Sequence, residues 1–276
     1  MTVHRRAAVC GKPIEHSLSP VVHAAGFAAV GLLDWTYTAI ECGEDELPGL
    51  VAGLGPEWAG LSLTMPLKEA ALTLAAEASP VAVATGAANT LVRRDDGTWF
   101  ADNTDVPGMV RVLSDAGLRS APSVTVLGGG GTARAALAAA ASLGAAAVTV
   151  VTRRPEARDE LAPAAEALGL SIAGVDWADA ASVFDADAVV STVPKGAADS
   201  LALQVSWRPD TVLFDAIYDP WPTPLAASAA AHGVRVVSGL DLLLAQALGQ
   251  FEQFTGIAPA PENAMREALA AAAGVK

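Results

Sequence analysis

Short apolar runs alternate with longer amphipathic or Ala-rich stretches along the chain, and this alternation is typical of α/β proteins. In the first third, three runs have the length and side chains of strands: Arg6–Cys10, Trp35–Glu41 and Leu61–Met65. Three helical patterns alternate with them: Ser19–Leu32, Glu44–Leu54 and Lys68–Ala78. Ser19 is expected to cap the first helix, with Pro20 in its first position.

A hairpin and a connecting helix complete this region. Strands Asn89–Arg94 and Thr98–Ala101 flank an acidic turn, and a helix is predicted over Asp105–Ala116. Four later strands are predicted in the middle of the chain: Ser171–Val175, Ala188–Thr192, Thr211–Asp215 and Arg235–Val237. Two final helices, Gly239–Phe254 and Pro261–Ala273, are expected to return to the first region.

The segment SVTVLGGGGTARAAL (Ser123–Leu137) predicts a strand, a glycine turn and the start of a helix. Gly128 permits the tight turn, Gly130 lets the backbone approach a pyrophosphate, and the small Ala133 lets helix pack on strand. The free N–H groups at the helix start favour phosphate binding. The predicted cofactor-binding residues of this turn are Gly128, Gly129, Gly130, Gly131, Thr132 and Ala133.

The end of the next strand, AVTVVTRR, indicates which dinucleotide is bound. An NAD-selective protein places Asp or Glu there to bind the ribose, about 20 residues after the glycines. This chain has Thr152, Arg153 and Arg154 instead. Two cations and a hydroxyl suit a 2′-phosphate, so the sequence predicts NADP, although a solvated loop would also accept two arginines.

Composition narrows the class of protein. The 276 residues are enough for two domains, 52% of them are hydrophobic, and the net charge of −13 disfavours nucleic acid or an anionic membrane as partner. We expect no signal peptide, no membrane span and no metal site. Cys10 and Cys42 are expected in strands, as buried reduced thiols of a cytoplasmic protein.

Four polar clusters lie in otherwise apolar surroundings. The first is the loop with Ser17 and Ser19, the second is the strand end with Thr64 and Lys68, and the third and fourth are the motifs GAANT and ADNTD, with Asn89 and Asp105. Hydroxyl and amide groups of this kind can bind a polyol or carboxylate, with Asn89 both donating and accepting. For Ser19 alone, helix capping is an equally good explanation, and for Asp105 alone it is the better one.

Together the clusters suggest chemistry as well as binding. Reduction of a ketone by hydride needs a proton donor at the developing alkoxide, and a lysine held beside an aspartate can supply the proton. Lys68 stands at the carboxyl end of a predicted strand, where open α/β sheets bind ligands. It is the only lysine between Lys12 and Lys195.

These residues carry a family resemblance that runs nearly end to end. The chain resembles the shikimate dehydrogenases, NADP-dependent enzymes that reduce 3-dehydroshikimate in the shikimate pathway, which leads to chorismate and the aromatic amino acids. The matching motifs are PIEHSLSPVVH, TMPLK, ANT, NTD, LGGGGTAR, the segment from Ile217 to Leu225 with its TPL ending, and SGL through QAL followed by FEQFTG. Six or more ordered motifs make chance similarity implausible.

The resemblance implies roles for individual residues. Lys68 falls on the catalytic lysine and Asp105 on its partner, which also binds substrate. The implied substrate-binding residues are Ser17, Ser19, Thr64, Asn89, Tyr218 and Gln246. Ala216 and Gly239 are carried over to the cofactor site, with the residues of the glycine turn and Thr152-Arg153-Arg154.

Three positions depart from the family pattern. Ser62 stands where the family often has Asn, Ala24 where an Asn commonly follows the histidine, and Thr152-Arg153-Arg154 where N-R-T is usual. The first two bear on fine substrate contacts. The third keeps a hydroxyl and adds a cation, which is compatible with NADP.

The expected fold is α/β, with a substrate-binding domain over residues 1–105, completed by helices in 239–276, and a Rossmann NADP-binding domain over 106–238. The active site is expected in the cleft between them, and the protein is expected to be a monomer or homodimer. Two alternatives stay open: a quinate/shikimate dehydrogenase of broader specificity, and an NADP-binding regulator without turnover. Loss of the lysine–aspartate pair would favour the regulator, and both residues are present.

Overall fold

The computed structural model describes residues 4–274. The expectation of no signal peptide concerns the N-terminal segment, whose first three residues lie outside the described residues. The chain forms two compact units. Unit 1 comprises the described residues up to Thr104 and those from Leu243 onward, and unit 2 is Asp105–Leu242. No helix within residues 4–274 has the length and apolar character needed to cross a bilayer.

The strands and helices are short and alternate along the chain. The strands are β1 (Arg5–Gly11), β2 (Trp35–Glu41), β3 (Trp58–Leu63), β4 (Glu77–Ala78), β5 (Thr90–Arg93), β6 (Trp99–Asp102), β7 (Val124–Leu127), β8 (Ala147–Thr152), β9 (Ser171–Asp176), β10 (Ala188–Ser191), β11 (Val212–Asp215) and β12 (Arg235–Ser238). The helices are α1 (Ser19–Ala29), α2 (Leu47–Ala52), α3 (Pro80–Thr85), α4 (Asp105–Asp115), α5 (Gly131–Ser142), α6 (Glu156–Asp159), α7 (Ala162–Ala167), α8 (Pro224–Ala231), α9 (Gly239–Thr255) and α10 (Glu262–Ala272). Three 3₁₀ helices add Ala70–Leu74, Trp177–Val183 and Asp199–Leu203.

Unit 1 contains a mixed sheet with the strand order β2-β1-β3-β5-β6-β4. β2, β1 and β3 are parallel, whereas β5 pairs antiparallel with both β3 and β6. All six residues of β3 are buried, as expected for a strand in the middle of a covered sheet. Helix α10 packs on α1, so the C-terminal helices return to the first region as predicted.

Unit 2 contains a parallel sheet with the strand order β12-β11-β10-β7-β8-β9. Numbered within the unit, this is the doubly wound order 3-2-1-4-5-6 of dinucleotide-binding folds. β7, β10 and β11 are buried along their whole length. The strand order reverses between β7 and β10, and folds of this class bind ligands outside the carboxyl ends of the strands at that point. The predicted fold class is therefore confirmed.

Two local predictions were wrong. Lys68–Ala78 is not one helix but a 3₁₀ helix followed by β4, because Ala88 N donates to the carbonyl of Lys68 and Ala76 N donates to Trp99 O. The carbonyl of Lys68 and the N–H of Ala76 are thus bonded to residues outside this segment and cannot form the hydrogen bonds of a continuous helix. Ser19 does not cap α1: Leu18 is the N-cap, without a side-chain hydrogen bond, and Ser19 is the first helical residue.

The core of unit 1 encloses a neutral histidine. His23 is fully buried on α1, and its ring is stacked on Tyr37 with centroids 4.1 Å apart and planes 4° apart. Both ring nitrogens lack a hydrogen-bond partner among the described residues. Burial lowers the pKa of His23 to about 3, and the Gln250 side chain opposes this shift to a smaller extent.

This histidine makes folding dependent on pH. Between about pH 6.5, the pKa of an unfolded histidine, and the folded value near 3, the unfolded chain binds one proton more, so stability falls as pH falls. His23→Leu should therefore flatten the slope of unfolding free energy from pH 6 to 4 by up to about 1.4 kcal/mol per pH unit, measured by urea denaturation. Phe27→Leu, next to His23 in the core, should lower stability and keep the wild-type slope. Parallel profiles for wild type and His23→Leu would show that His23 is protonated in the fold.

Candidate active site

The first polar cluster of unit 1 forms where β1 and β3 end side by side. Thr64 N donates to Cys10 O at 2.9 Å, and Lys12 N donates to Met65 O at 3.0 Å. These bonds continue the parallel pairing of the two strands into their loops. The Ser17 loop and the Thr64 turn therefore start from the same edge of one sheet.

The serine loop is arranged by local backbone contacts. Ser17 N donates to Ile14 O at 3.0 Å, and the Ser17 hydroxyl accepts from Ser19 N at 3.4 Å. Ser17 is half-buried, whereas Ser19 is buried at 6% exposure. Ser17, and not Ser19, thus binds an N–H at the start of α1, and its hydroxyl proton stays free to donate.

Two backbone hydrogen bonds join the Lys68 turn to the Asn89 turn. Ala88 N donates to Lys68 O at 2.7 Å, and Leu63 N donates to Asn89 O at 2.7 Å. Asn103 also stabilises the Asn89 turn, because its side-chain amide donates to Ala87 O at 2.8 Å. The motifs TMPLK, ANT and NTD, far apart in sequence, are therefore interlocked in unit 1.

The amide of Asn89 is almost fully engaged. Its Oδ1 accepts from Thr104 N at 2.8 Å, from Thr104 Oγ1 at 3.1 Å and from Thr90 Oγ1 at 2.8 Å. Its Nδ2 donates to Thr104 Oγ1 at 2.9 Å and to Gln246 Oε1 at 3.4 Å. The oxygen and both N–H groups of Asn89 thus have partners, and the N–H that faces Gln246 Oε1 has the longest of these bonds.

Gln246 lies beside Asn89 on α9. Its Nε2 donates to Leu243 O at 2.8 Å, one turn earlier in the helix, which directs Oε1 toward the Asn89 amide. Unit 1 thus brings together Asn89 and Gln246 by direct contact, and Lys68 by the backbone bond next to Asn89.

In unit 2, the glycine turn lies at the carboxyl end of β7, at the reversal of strand order. Gly128 has φ +113°, and a Cβ there would lie 2.4 Å from Thr192 Oγ1. Helix α5 begins at Gly131 behind Gly130, with no side chain capping its first turn, and Ala133 is fully buried against the sheet. A bare helix start of this kind can bind phosphate.

The loop after β8 carries two exposed arginine side chains. Arg153 and Arg154 are exposed, and neither forms an ion pair with any residue in 4–274. Thr152 is buried, and its hydroxyl donates to Arg154 O at 2.8 Å. Thr152 therefore stabilises the conformation of the loop. The side chains of Arg153 and Arg154 are the groups of this loop that can pair with an anion.

A buried carboxylate organises the segment that carries Tyr218. Asp215, at the end of β11, accepts from Thr223 Oγ1 at 2.7 Å and from Ile217 N at 3.2 Å, and burial raises its pKa. Tyr218 is half-buried, and burial raises the pKa of its phenol, with the Asp219 charge adding to the effect. A Cβ at Gly239 would lie 2.1 Å from Ala216 O, so only glycine lets α9 start here.

Asp105 is the first residue of α4 in unit 2 and is 6% exposed. A carboxylate at this position is favoured by the helix dipole. Within the described part of the chain, no three His, Cys, Asp or Glu side chains are grouped so that they could hold a metal ion.

Comparison with protein families shows three matches along the chain. Residues 9–91 match the shikimate dehydrogenase substrate binding domain, and residues 239–270 match the shikimate 5′-dehydrogenase C-terminal domain. Residues 123–217 match the family described as NADP oxidoreductase coenzyme F420-dependent. The last match covers β7 to β11 and so describes the nucleotide-binding sheet.

Whole-length relatives decide the family. The NADP(+) shikimate dehydrogenase of Caulobacter vibrioides is 38% identical, over 94% of this chain and 92% of that protein. The chain belongs to the shikimate dehydrogenase family. The shikimate dehydrogenase structure from Mycobacterium tuberculosis is 47% identical, with a TM-score of 0.87 over 97% of this chain and 99% of that one. The shikimate dehydrogenase from Thermus thermophilus, in complex with NADP(H) and shikimate, is 31% identical, with a TM-score of 0.82 over 97% and 99% of the two chains. The family predicted from the motifs is confirmed.

Sequence reasoning missed several residues whose hydrogen bonds fix the candidate segments within unit 1 or within unit 2. They are Thr90, Thr104, Thr192, Asp215, Thr223 and Gln250. Gln250 left the clearest signal, because it follows Gln246 by about one helical turn and so lies on the same face of the helix. The partners of the threonines depend on contacts between distant segments, which sequence spacing does not show.

Two glycines of the same turn should differ sharply in their tolerance of a side chain. Gly128→Ala needs an unfavourable φ and collides with Thr192, so we expect a loss of about 2 kcal/mol or more in unfolding free energy. Gly130→Ala meets no atom within 4 Å and should lose at most about 1 kcal/mol, because alanine is a poorer N-cap than glycine. Urea denaturation of both variants tests this order. Equal losses would show that the turn does not have this geometry.

Proposed function

We propose that the protein is a shikimate dehydrogenase that reversibly reduces 3-dehydroshikimate to shikimate with NADPH, a step of aromatic amino-acid biosynthesis. The relatives at 36–38% identity from Caulobacter, Salinibacter and Moorella are all named NADP(+) shikimate dehydrogenase. The observation that carries the proposal is the interlocked pair of turns in unit 1: the carbonyl of Lys68 is bonded to Ala88 N, and the amide of the adjacent Asn89 contacts Gln246. The same protein contains a doubly wound sheet with a bare phosphate-binding helix start.

The residues of unit 2 fit NADP. The open space at Gly130 accommodates a pyrophosphate beside the first turn of α5. Arg153 and Arg154 are exposed, unpaired and directly after β8, where the adenosine ribose is bound in this fold. In a chain with a net charge of −13, two unneutralised arginines at that place favour a 2′-phosphate.

Lys68 and Asp105 are proposed to perform the proton chemistry. NADPH, when bound, supplies the hydride that reduces the substrate carbonyl. Lys68 donates a proton to the carbonyl oxygen as negative charge develops there, and its ammonium stabilises that charge. Asp105 orients the lysine and binds the neighbouring hydroxyl. In the reverse direction Lys68 accepts the proton from the alcohol.

The remaining unit 1 residues are proposed to bind the substrate. Ser17 and Ser19 bind the carboxylate, and the Ser17 hydroxyl, which accepts from Ser19 N, keeps its proton to donate. Thr64, Asn89 and Gln246 bind the ring hydroxyls, with Asn89 donating and never accepting. Tyr218, a residue of unit 2, is also proposed to bind the substrate, and Asp215 at the end of β11 organises the segment that carries it.

The alternatives have weaker support. A quinate-oxidising enzyme that prefers NAD would have an acidic residue where Arg153 and Arg154 follow β8. A regulator without turnover has no need of the lysine at the Asn89 turn. We further propose a cytoplasmic location and a monomer or homodimer. Burial raises the pKa of Cys10 to about 12, as suits a thiol that stays reduced.

Loss of Lys68 should slow turnover far more than it weakens binding. A positioned acid–base group contributes about 10²–10⁴-fold, so Lys68→Ala should lower kcat by that order with substrate KM little changed. Lys68→Arg keeps the charge but holds its proton too tightly to transfer it, so it should be similarly slow. Steady-state assays with shikimate and NADP⁺, on variants shown to be folded by circular dichroism, test this. A kcat within about threefold of wild type for Lys68→Ala would rule out the proposed role.

Replacement of the arginine pair should change the choice of cofactor. Charge-assisted hydrogen bonds to a phosphate contribute about 1.5–3 kcal/mol each, so Arg153→Ala with Arg154→Ala should raise KM for NADPH far more than for NADH. Arg158→Ala is the matched control, because Arg158 is nearby but is paired with Asp176 at 3.0 Å. KM measurements with both cofactors compare the variants. Equal changes for NADPH and NADH would remove the assignment.

A further inference from the structure

A continuous chain of hydrogen bonds runs through the interior of unit 1 to Asn89. Tyr37 Oη donates to Ser62 Oγ at 2.6 Å, and Ser62 Oγ donates to Gln250 Oε1 at 2.6 Å. Gln250 Nε2 then donates to Asn89 O and to Thr90 Oγ1, each at 3.0 Å. Thr90 Oγ1 closes the chain by donating to Asn89 Oδ1 at 2.8 Å.

Two backbone groups set the direction of every bond in this chain. The carbonyl of Asn89 can only accept, so the atom of Gln250 that faces it must be the amide nitrogen. Gln250 Oε1 then faces Ser62, which must give it a proton, and Ser62 must take one from Tyr37. At the other end Thr104 N can only donate, so the atom of Asn89 that faces it must be Oδ1.

The five residues that form this chain of hydrogen bonds are buried, so solvent water cannot readily replace a bond that is lost. The exposed fractions are 7% for Tyr37, 4% for Ser62, 1% for Gln250, 0% for Thr90 and 2% for Asn89. A buried polar group that loses its partner pays the full cost of its lost hydration. The stacked ring of His23 holds Tyr37 from one side, so the chain begins at a rigid aromatic residue.

We propose that Tyr37, Ser62 and Gln250 are positioning residues that fix the Asn89 amide with one N–H toward the substrate, so that Asn89 selects an acceptor oxygen. This inference rests on the proposed function for the identity of the substrate. The second N–H of Asn89 is the one left for the ligand, since its 3.4 Å contact with Gln246 Oε1 is the longest bond of the amide. None of the three positioning residues needs to touch the substrate.

The test compares two glutamines of one helix. Gln250→Met removes both the acceptor for Ser62 and the donors to Asn89 and Thr90, with little change in volume. Gln253→Met is the matched control, because Gln253 lies on the same helix and donates to Asp102 Oδ2 at 2.6 Å, outside the chain of bonds. Ser62→Ala is the milder second variant, since it leaves the Gln250 donors in place and removes only the group that orients them.

Two readouts separate positioning from general loss of structure. Gln250→Met should raise KM for shikimate about tenfold, and Ser62→Ala about threefold, with kcat and KM for NADP⁺ near wild type. Misfolding would lower kcat and leave KM unchanged. In both variants the backbone amide of Thr104, which bonds Asn89 Oδ1, should exchange with solvent about tenfold faster by NMR, whereas amides of β7 should not change. Gln253→Met should match wild type in both measurements.

Unchanged KM and unchanged Thr104 exchange in Gln250→Met would overturn the inference, and so would equal effects of Gln253→Met. If wild type does not oxidise shikimate, the proposed function fails, and the Thr104 exchange rate alone still decides whether the chain positions Asn89. Faster exchange with a normal shikimate KM would show that Asn89 is positioned but does not bind this substrate, which also contradicts the inference.

Discussion

The pair of backbone hydrogen bonds between the Lys68 turn and the Asn89 turn is the contact on which the candidate site of unit 1 depends. A strand that ends leaves N–H and C=O groups without partners, and buried groups of this kind must be paired. Here Leu63 N and the carbonyl of Lys68 find partners in residues 88 and 89. The pairing that satisfies the end of β3 therefore also delivers a lysine and a carboxamide to the same sheet edge.

Unit 2 meets a different constraint, since its glycine turn leaves the backbone open at the start of α5. The turn after β7 has no side chains, and α5 begins without a capping side chain. In this turn Gly128 has a positive φ and lies so close to Thr192 that a side chain would collide with it. Positive charge is added separately, by two arginines that form no ion pair in the described structure.

Buried polar residues are prominent in a chain that is only 17% charged. Asp215, Asn89, Thr90 and Gln250 are all at most 2% exposed, and each has partners that satisfy it. Such networks specify one arrangement, because any other leaves a buried group unpaired. His23 is one exception among the described residues: both of its ring nitrogens lack a hydrogen-bond partner, and its lowered pKa makes stability depend on pH.

The sequence by itself determined the α/β class, the family, the glycine turn and most strands, because these follow from local periodicity and from motifs of contiguous residues. β2 was predicted to the residue, whereas the segment after Lys68 was wrongly predicted as helix, since the bonds that prevent it come from residues 88 and 99. Spacing placed Asn89 in the site, but only the fold decided that its oxygen is engaged by Thr90 and Thr104. Hydrogen-bond direction depends on which groups meet across the core, and that is a property of the tertiary structure.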